Sequence, residues 1–149
     1  MIHVMASSVI HAPVSSVWRM IRDFGALADW LPGVKHCSIE GDESGDRVGA
    51  IRRLEMGDVG IIREQLLALS DVDHAVTFSI IESALPIWNY RSTISLLPVT
   101  DGNLTFIRWY GQFEAPAEHA ADMEARMPTQ IYQPAFDKLA KIVARADAQ

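Results

Sequence analysis

Along residues 2–10 small and β-branched side chains follow one another without a helical stripe, and Pro13 limits any extension, so the chain is expected to open with a strand. Pro13 suits the first turn of a helix, where its missing N–H is not needed. Val14, Val17, Trp18 and Ile21 then recur at i, i+3, i+4 and i+7, the spacing that lays one helix face on a core. This helix is expected to end at Gly25, before a short helical turn from Ala26 to Trp30 that Leu31-Pro32-Gly33 stops. From Val34 to Phe113 the texture changes to β-rich runs, predicted as strands over 34–41, 47–56, 60–70, 74–82, 89–98 and 103–114. The punctuation is residues 41–46, Gly57-Asp58-Val59, Asp71-Val72-Asp73, a longer stretch from Ser83 to Trp88, and Thr100-Asp101-Gly102. Links this short join antiparallel neighbours, hence a meander. Glu118 to Ala146 returns to helical spacing, with Met123, Met127, Ile131, Ala135, Leu139 and Ile142 on one face. Pro128 and Pro134 each remove an intrahelical bond, which predicts a kink or a proper start only after Met127.

A seven-stranded antiparallel sheet has one face to bury, and the C-terminal helix is the only long element available to cover it. Wrapping the sheet around that helix gives an α+β architecture, expected as a single domain over 1–149. One helix does not fill the mouth of a wide, curved sheet, so an internal space is expected, and function is sought there.

Composition narrows the choice of occupant. With 149 residues, 49% apolar and 21% charged, the chain can build a sizeable core without staples. A formal charge of −6 opposes phosphate binding, so neither nucleic acid nor an anionic membrane surface is expected as partner. No run approaches the ~20 apolar residues of a membrane span, and no membrane insertion is expected. Cys37, the only cysteine, excludes an intramolecular disulfide and reads as a small buried hydrophobe on a strand. The N-terminus lacks a basic region and a long apolar run, so a cytoplasmic protein is expected, a monomer or a homodimer. His3, His11, His36, His74 and His119 match no metal-ligand spacing, and no phosphate loop or dinucleotide fingerprint is present, so neither metal nor cofactor is expected.

The turn at Gly57-Asp58-Val59 reads as a three-residue hairpin loop. Leu54 then faces Ile62, and Arg52 faces Glu64, all on one side of the sheet. A two-residue loop would turn one of the two strands over.

The order of elements resembles the helix-grip superfamily of START-like, polyketide cyclase-like and birch-pollen-allergen-like proteins (SRPBCC). Within it, Val34-Lys35-His36-Cys37-Ser38-Ile39-Glu40, Val48-Gly49, Phe78-Ser79-Ile80-Ile81 and Asn89-Tyr90-Arg91-Ser92 are similar to stretches of the plant abscisic-acid receptors. The resemblance covers the chain from about Trp30 to Leu139. Three of the receptors' devices are missing. Leu31 stands where they carry a ligand-anchoring lysine, Met56-Gly57-Asp58-Val59-Gly60 is too short for their gate, and Leu85-Pro86-Ile87 replaces their latch. Hormone sensing is therefore not expected.

The resemblance implies that Leu54, Met56, Ile62 and Glu64 point inward. Phe78, Ile80, Tyr90, Ser92, Ile107 and Trp109 are expected to join them from later strands, with Met127, Ile131 and Ala135 from the helix; all of these but Ile107 are expected to touch the ligand. Leu31, Arg52, Ile87 and Trp88 complete the expected ligand-binding set, with Leu85-Pro86-Ile87 and Trp88 as the mouth. Trp18 reads as core, Trp30 as a residue near the mouth, and Trp109 as one that narrows the cavity. The expected function is binding of a small apolar or aromatic molecule (lipid-, polyketide- or hormone-like), oriented by Glu64, Tyr90, Ser92 and Arg52. The alternative is a polyketide cyclase or dehydratase-like enzyme with Glu64 as general base and Tyr90 as proton donor. A third reading retains the fold for protein contact, with the cavity collapsed. For Glu64 and Arg52 the plain alternative to a ligand or catalytic role is a structural cross-strand ion pair, because ion pairs perturb acids without catalysis.

Overall fold

The computed structural model describes residues 1–41 and 44–147. Seven antiparallel strands form one sheet: β1 (Ile2–Ile10), β2 (Val34–Ile39), β3 (Ile51–Met56), β4 (Gly60–Ser70), β5 (Ala75–Glu82), β6 (Trp88–Val99) and β7 (Leu104–Glu114). Their order, β1-β7-β6-β5-β4-β3-β2, is the expected meander, and β1 closes it by pairing with β7 from Ile2↔Phe113 to Ile10↔Thr105. The hairpin register is Arg52↔Glu64 and Leu54↔Ile62, as the three-residue loop requires.

Between β1 and β2 lie helix α1 (Val14–Ile21) and a 3₁₀ segment (Phe24–Asp29). Pro13 caps α1 in extended backbone (ψ 152°) rather than entering its first turn. The predicted stripe seats α1, with Val17, Trp18 and Ile21 all buried. Gly25 does not end this helix. Its chain has already turned at Arg22, and Gly25 sits inside the 3₁₀ segment, where a Cβ would meet Ile39 at 3.1 Å. Strand β3 starts at Ile51, not at residue 47, because the backbone turns through Gly49 (φ +96°). Of the predicted turn over 41–46, Asp42 and Glu43 lie outside the described residues.

The C-terminal helix is continuous but not uniform. Helix α2 (Ala117–Arg126) passes into a π-helical segment (Met127–Tyr132) and then α3 (Gln133–Asp147). Pro128 and Pro134 have no N–H to donate, and the ladder widens so that Gln133 N–H reaches the Pro128 carbonyl. The wide turn moves the buried face. After Met127 it continues through Tyr132, Ala135, Phe136, Leu139 and Val143, while Ile131 is 37% exposed. Tyr132 and Phe136 therefore take the core positions that uniform helical spacing assigns to Ile131. No helix among the described residues is long and apolar enough to cross a membrane.

Candidate functional site

The sheet's concave face and the α2–π segment enclose a cavity of about 980 Å³. Strand alternation sends Arg52, Leu54 and Met56 of β3, Ile62 and Glu64 of β4, Phe78 and Ile80 of β5, Tyr90 of β6 and Trp109 of β7 to its wall. Leu31, Met127 and Ile131 line it as well, Ile131 from the partly exposed rim.

Four expected wall residues stand elsewhere. Ser92 is buried behind Trp109, whose Nε1 donates to its Oγ at 3.2 Å. Ala135 lies fully buried in the closed core one turn beyond Tyr132. Ile87 packs against the core after a tight turn in which its N–H reaches Leu85 O at 2.8 Å. Trp88 is 47% exposed and is the first residue of β6 rather than part of a loop. A bulge between Trp88 and Arg91, with Asn89 at φ +54°, breaks the alternation that would put Trp88 on the same face as Tyr90. Leu85 and Pro86 do line the mouth. Trp30 is not at the mouth. It is 2% exposed and meets Trp109 edge-on at 6.1 Å.

Two polar groupings shape the interior. In the first, Arg52 Nε donates to Glu64 Oε1 at 2.8 Å, and Nη2 lies 2.7 Å from the same oxygen. Arg52 Nη1 donates to the Phe24 carbonyl at 3.2 Å, and the guanidinium lies between the Phe24 ring (3.9 Å) and the Phe78 ring (4.6 Å). Both residues are buried, at 3% and 6% exposure, and a pair this dry persists only when each charge is met by the other. Both contacts fall on Oε1. Among the described residues Glu64 Oε2 accepts no hydrogen bond.

In the second grouping, Tyr90 and Tyr132 share a hydrogen bond of 2.6 Å between their hydroxyls. Burial pushes the Tyr90 phenol up to about 12, and burial beside Tyr90 raises that of Tyr132 further, so both are neutral donors at physiological pH. Trp109 stacks on Tyr132 with centroids 4.2 Å apart, which narrows the cavity at that end. Gly111 makes room for this layer, since a Cβ there would stand 2.5 Å from the Tyr132 hydroxyl.

The rim is more polar than the sequence suggested. Lys35, Asp58, His119, Asp122, Arg126 and Gln130 border the opening. Arg126 bonds Asp122 at 3.2 Å and Gln130 at 3.1 Å. The signal available was the composition of α2, which buries none of its residues and so turns a polar helix across the mouth. Trp18 is core, donating Nε1 to Asp71 at 2.8 Å. Cys37 is half-buried, and burial pushes its thiol up.

Comparison with known proteins follows the same lines. The sequence model of a family described as polyketide cyclase/dehydrase and lipid transport matches residues 1–144. Over 92 residues the chain is 27% identical to the abscisic acid receptor PYL7 of Arabidopsis thaliana, a match over 60% of this chain and 42% of the receptor. The chain thus matches less than half the length of that relative. A solved protein from Nitrosospira multiformis is 30% identical, with 99% of both chains covered and a TM-score of 0.78. A norcoclaurine synthase point mutant from Thalictrum flavum, solved with a transition-state analogue, superposes with a TM-score of 0.77 over 97% of this chain and 95% of its own. At 19% identity it shares the fold alone.

Proposed function

Because the chain belongs to the polyketide cyclase/dehydrase and lipid transport family, we propose that it binds one small apolar or aromatic molecule in the cavity between sheet and helix. The observation that carries this reading is the 980 Å³ hollow, walled by Leu54, Ile62, Phe78, Ile80 and Trp109 and bordered on one side by the Arg52–Glu64 pair. Its size is that of a drug-sized ligand site, and its make-up follows the usual rule of apolar walls with few polar groups. Burial of the ligand supplies affinity at roughly 25 cal/mol per Å² of apolar surface removed from water, and the polar groups set its orientation. The partner in this reading is a small molecule, not a nucleic acid, and the protein works in the cytoplasm without a resident cofactor. Native mass spectrometry of protein purified without added ligand tests it. A co-purifying small mass, released on unfolding, is expected. Apo protein that also fails to bind any apolar probe would overturn the reading.

The enzymatic alternative draws its support from the neutral Tyr90–Tyr132 hydroxyl pair, a donor held ready at the wall. Glu64 Oε2 would take a proton and Tyr90 would return one, the division of labour of a cyclase or dehydratase. Its test is turnover of poly-β-keto or enol substrates, followed by absorbance, with wild type against Glu64→Gln. No turnover by wild type across such a panel removes it.

A further inference from the structure

Resting on the binding reading above, we propose that the cavity selects a neutral molecule with an apolar body and one hydroxyl group, a phenol or an alcohol, over carboxylic acids and amines. The selection follows from how Arg52, the buried cation among the described residues, is used. Among the described residues, the contacts of the Arg52 guanidinium all lie within the protein. Nε and Nη2 face Glu64 Oε1, Nη1 faces the Phe24 carbonyl, and the two flat faces are covered by Phe24 and Phe78. Arg52 Nη2 is buried with no aligned acceptor, so a ligand anion does not reach it either. What the pair offers the cavity is Glu64 Oε2, an acceptor without a donor among the described residues.

Three ligand classes then separate. A carboxylate seated near Oε2 places like charges together in a low dielectric and finds no free cation beside them. The other basic residues bordering the opening, Lys35, His119 and Arg126, are exposed on the rim, where water screens them, and Asp122 already engages Arg126. An ammonium meets an acid whose charge Arg52 has already balanced, and it must shed its water to do so. A hydroxyl donates one charge-assisted hydrogen bond to Oε2 and brings no net charge into the dry interior. A bare hydrocarbon gains the burial but leaves Oε2 unsatisfied.

The test uses the full chain with Nile red, a neutral apolar dye, displaced by four congeners: biphenyl, its phenol, its carboxylate and its aminomethyl derivative. For wild type the phenol is expected to bind about tenfold or more tighter than biphenyl, the range of one hydrogen bond to a charged group, and the carboxylate and amine to bind weakest. In Glu64→Gln the phenol's advantage falls to about threefold or less, and the carboxylate gains about tenfold as Arg52 loses its anion. Arg52→Met/Glu64→Leu, which removes both charges and keeps the packing, ranks the congeners by apolarity alone and serves if the single variant does not fold. Tighter binding of the carboxylate or the amine than of the phenol in wild type overturns the proposal, as does a phenol preference that survives in the double variant. Either result leaves the cavity reading standing, since the dye is still bound. Failure of wild type to bind the dye or any congener overturns the cavity reading and this proposal together.

Discussion

Replacing Gly111 by alanine tests the aromatic layer at the closed end of the cavity, because two effects of known size act there in opposite directions. In a strand interior, glycine to alanine ordinarily stabilises by about 0.4–1 kcal/mol, since the unfolded chain loses freedom and the native backbone loses nothing. Here the new Cβ would stand 2.5 Å from Tyr132 Oη, 3.4 Å from Ser92 Cβ and 3.5 Å from Tyr90 Cε2. The hydroxyl is the far end of its side chain but cannot swing aside, because Tyr132 is fully buried, stacked on Trp109 and bonded to Tyr90 at 2.6 Å. Overpacking of this kind costs about 1–3 kcal/mol, and displacing the hydroxyl strands a buried donor for about 1–3 kcal/mol more. A net loss of about 1–5 kcal/mol is expected, which for a chain of this size lowers Tm by about 2–20 °C. The assay is urea unfolding followed by tryptophan fluorescence, run as a cycle with Tyr132→Phe. Tyr132→Phe alone costs about 1 kcal/mol by breaking the hydroxyl pair. In the double variant the clashing atom is gone, so the losses are expected to fall short of their sum by at least about 1 kcal/mol. Strict additivity, or a stabilised Gly111→Ala, would refute the packing described for Tyr132.

Other expectations follow from the same geometry. Arg52→Ala leaves the Glu64 carboxylate buried without its partner and should cost about 3–5 kcal/mol, whereas Arg52→Met/Glu64→Leu should be nearly neutral or stabilising in the same denaturation assay. Asp71 is held below the usual carboxylate range by hydrogen bonds from Arg22 and Trp18, and Glu40 by its hydrogen bonds from Arg63. A depressed carboxylate supports the fold above its unfolded value near 4 and loses that support as pH falls through the lower folded value. Asp71→Asn and Glu40→Gln should therefore flatten the stability curve below about pH 4 relative to wild type. On the alkaline side the raised phenols of Tyr90 and Tyr132 reverse the sign. Stability falls as pH climbs from the ordinary tyrosine value near 10 through about 12. Phenolate absorbance from these two rings should appear only with unfolding. Trp88→Ala, at an exposed position off the cavity, should leave dye affinity unchanged in the displacement titration.

Legibility of the molecule in its sequence divides along physical lines. The β3–β4 hairpin could be read because a three-residue turn at Gly57-Asp58-Val59 leaves one register, and register decides which side chains share a face. That single inference placed Arg52 opposite Glu64. The family resemblance added Phe78, Tyr90 and Trp109, which line the same cavity in the structure. Alternation explains the failure at Trp88, since one extra residue at a bulge reverses a face and left-handed Asn89 is not distinctive enough to announce it. The helix failed in the same way. Pro128 and Pro134 signalled a disturbance but not its form, and a π turn rather than a kink shifted Tyr132 and Phe136 inward and Ile131 outward. The rim was missed because its charged residues reach the opening from β2, α2 and the β3–β4 turn only once the sheet has curled.

Blocking the cavity from within tests the central claim most directly. Ile80 lines the hollow from β5 and is only partly buried, so Ile80→Trp adds bulk into open space rather than into packed core. Titration of Nile red into wild type should give saturable binding at one site per chain, and Ile80→Trp, with unchanged unfolding stability, should weaken it at least about tenfold, the scale set by a little over 1 kcal/mol of lost contact. Equal affinity in the two proteins would place the dye outside the cavity and contradict the account.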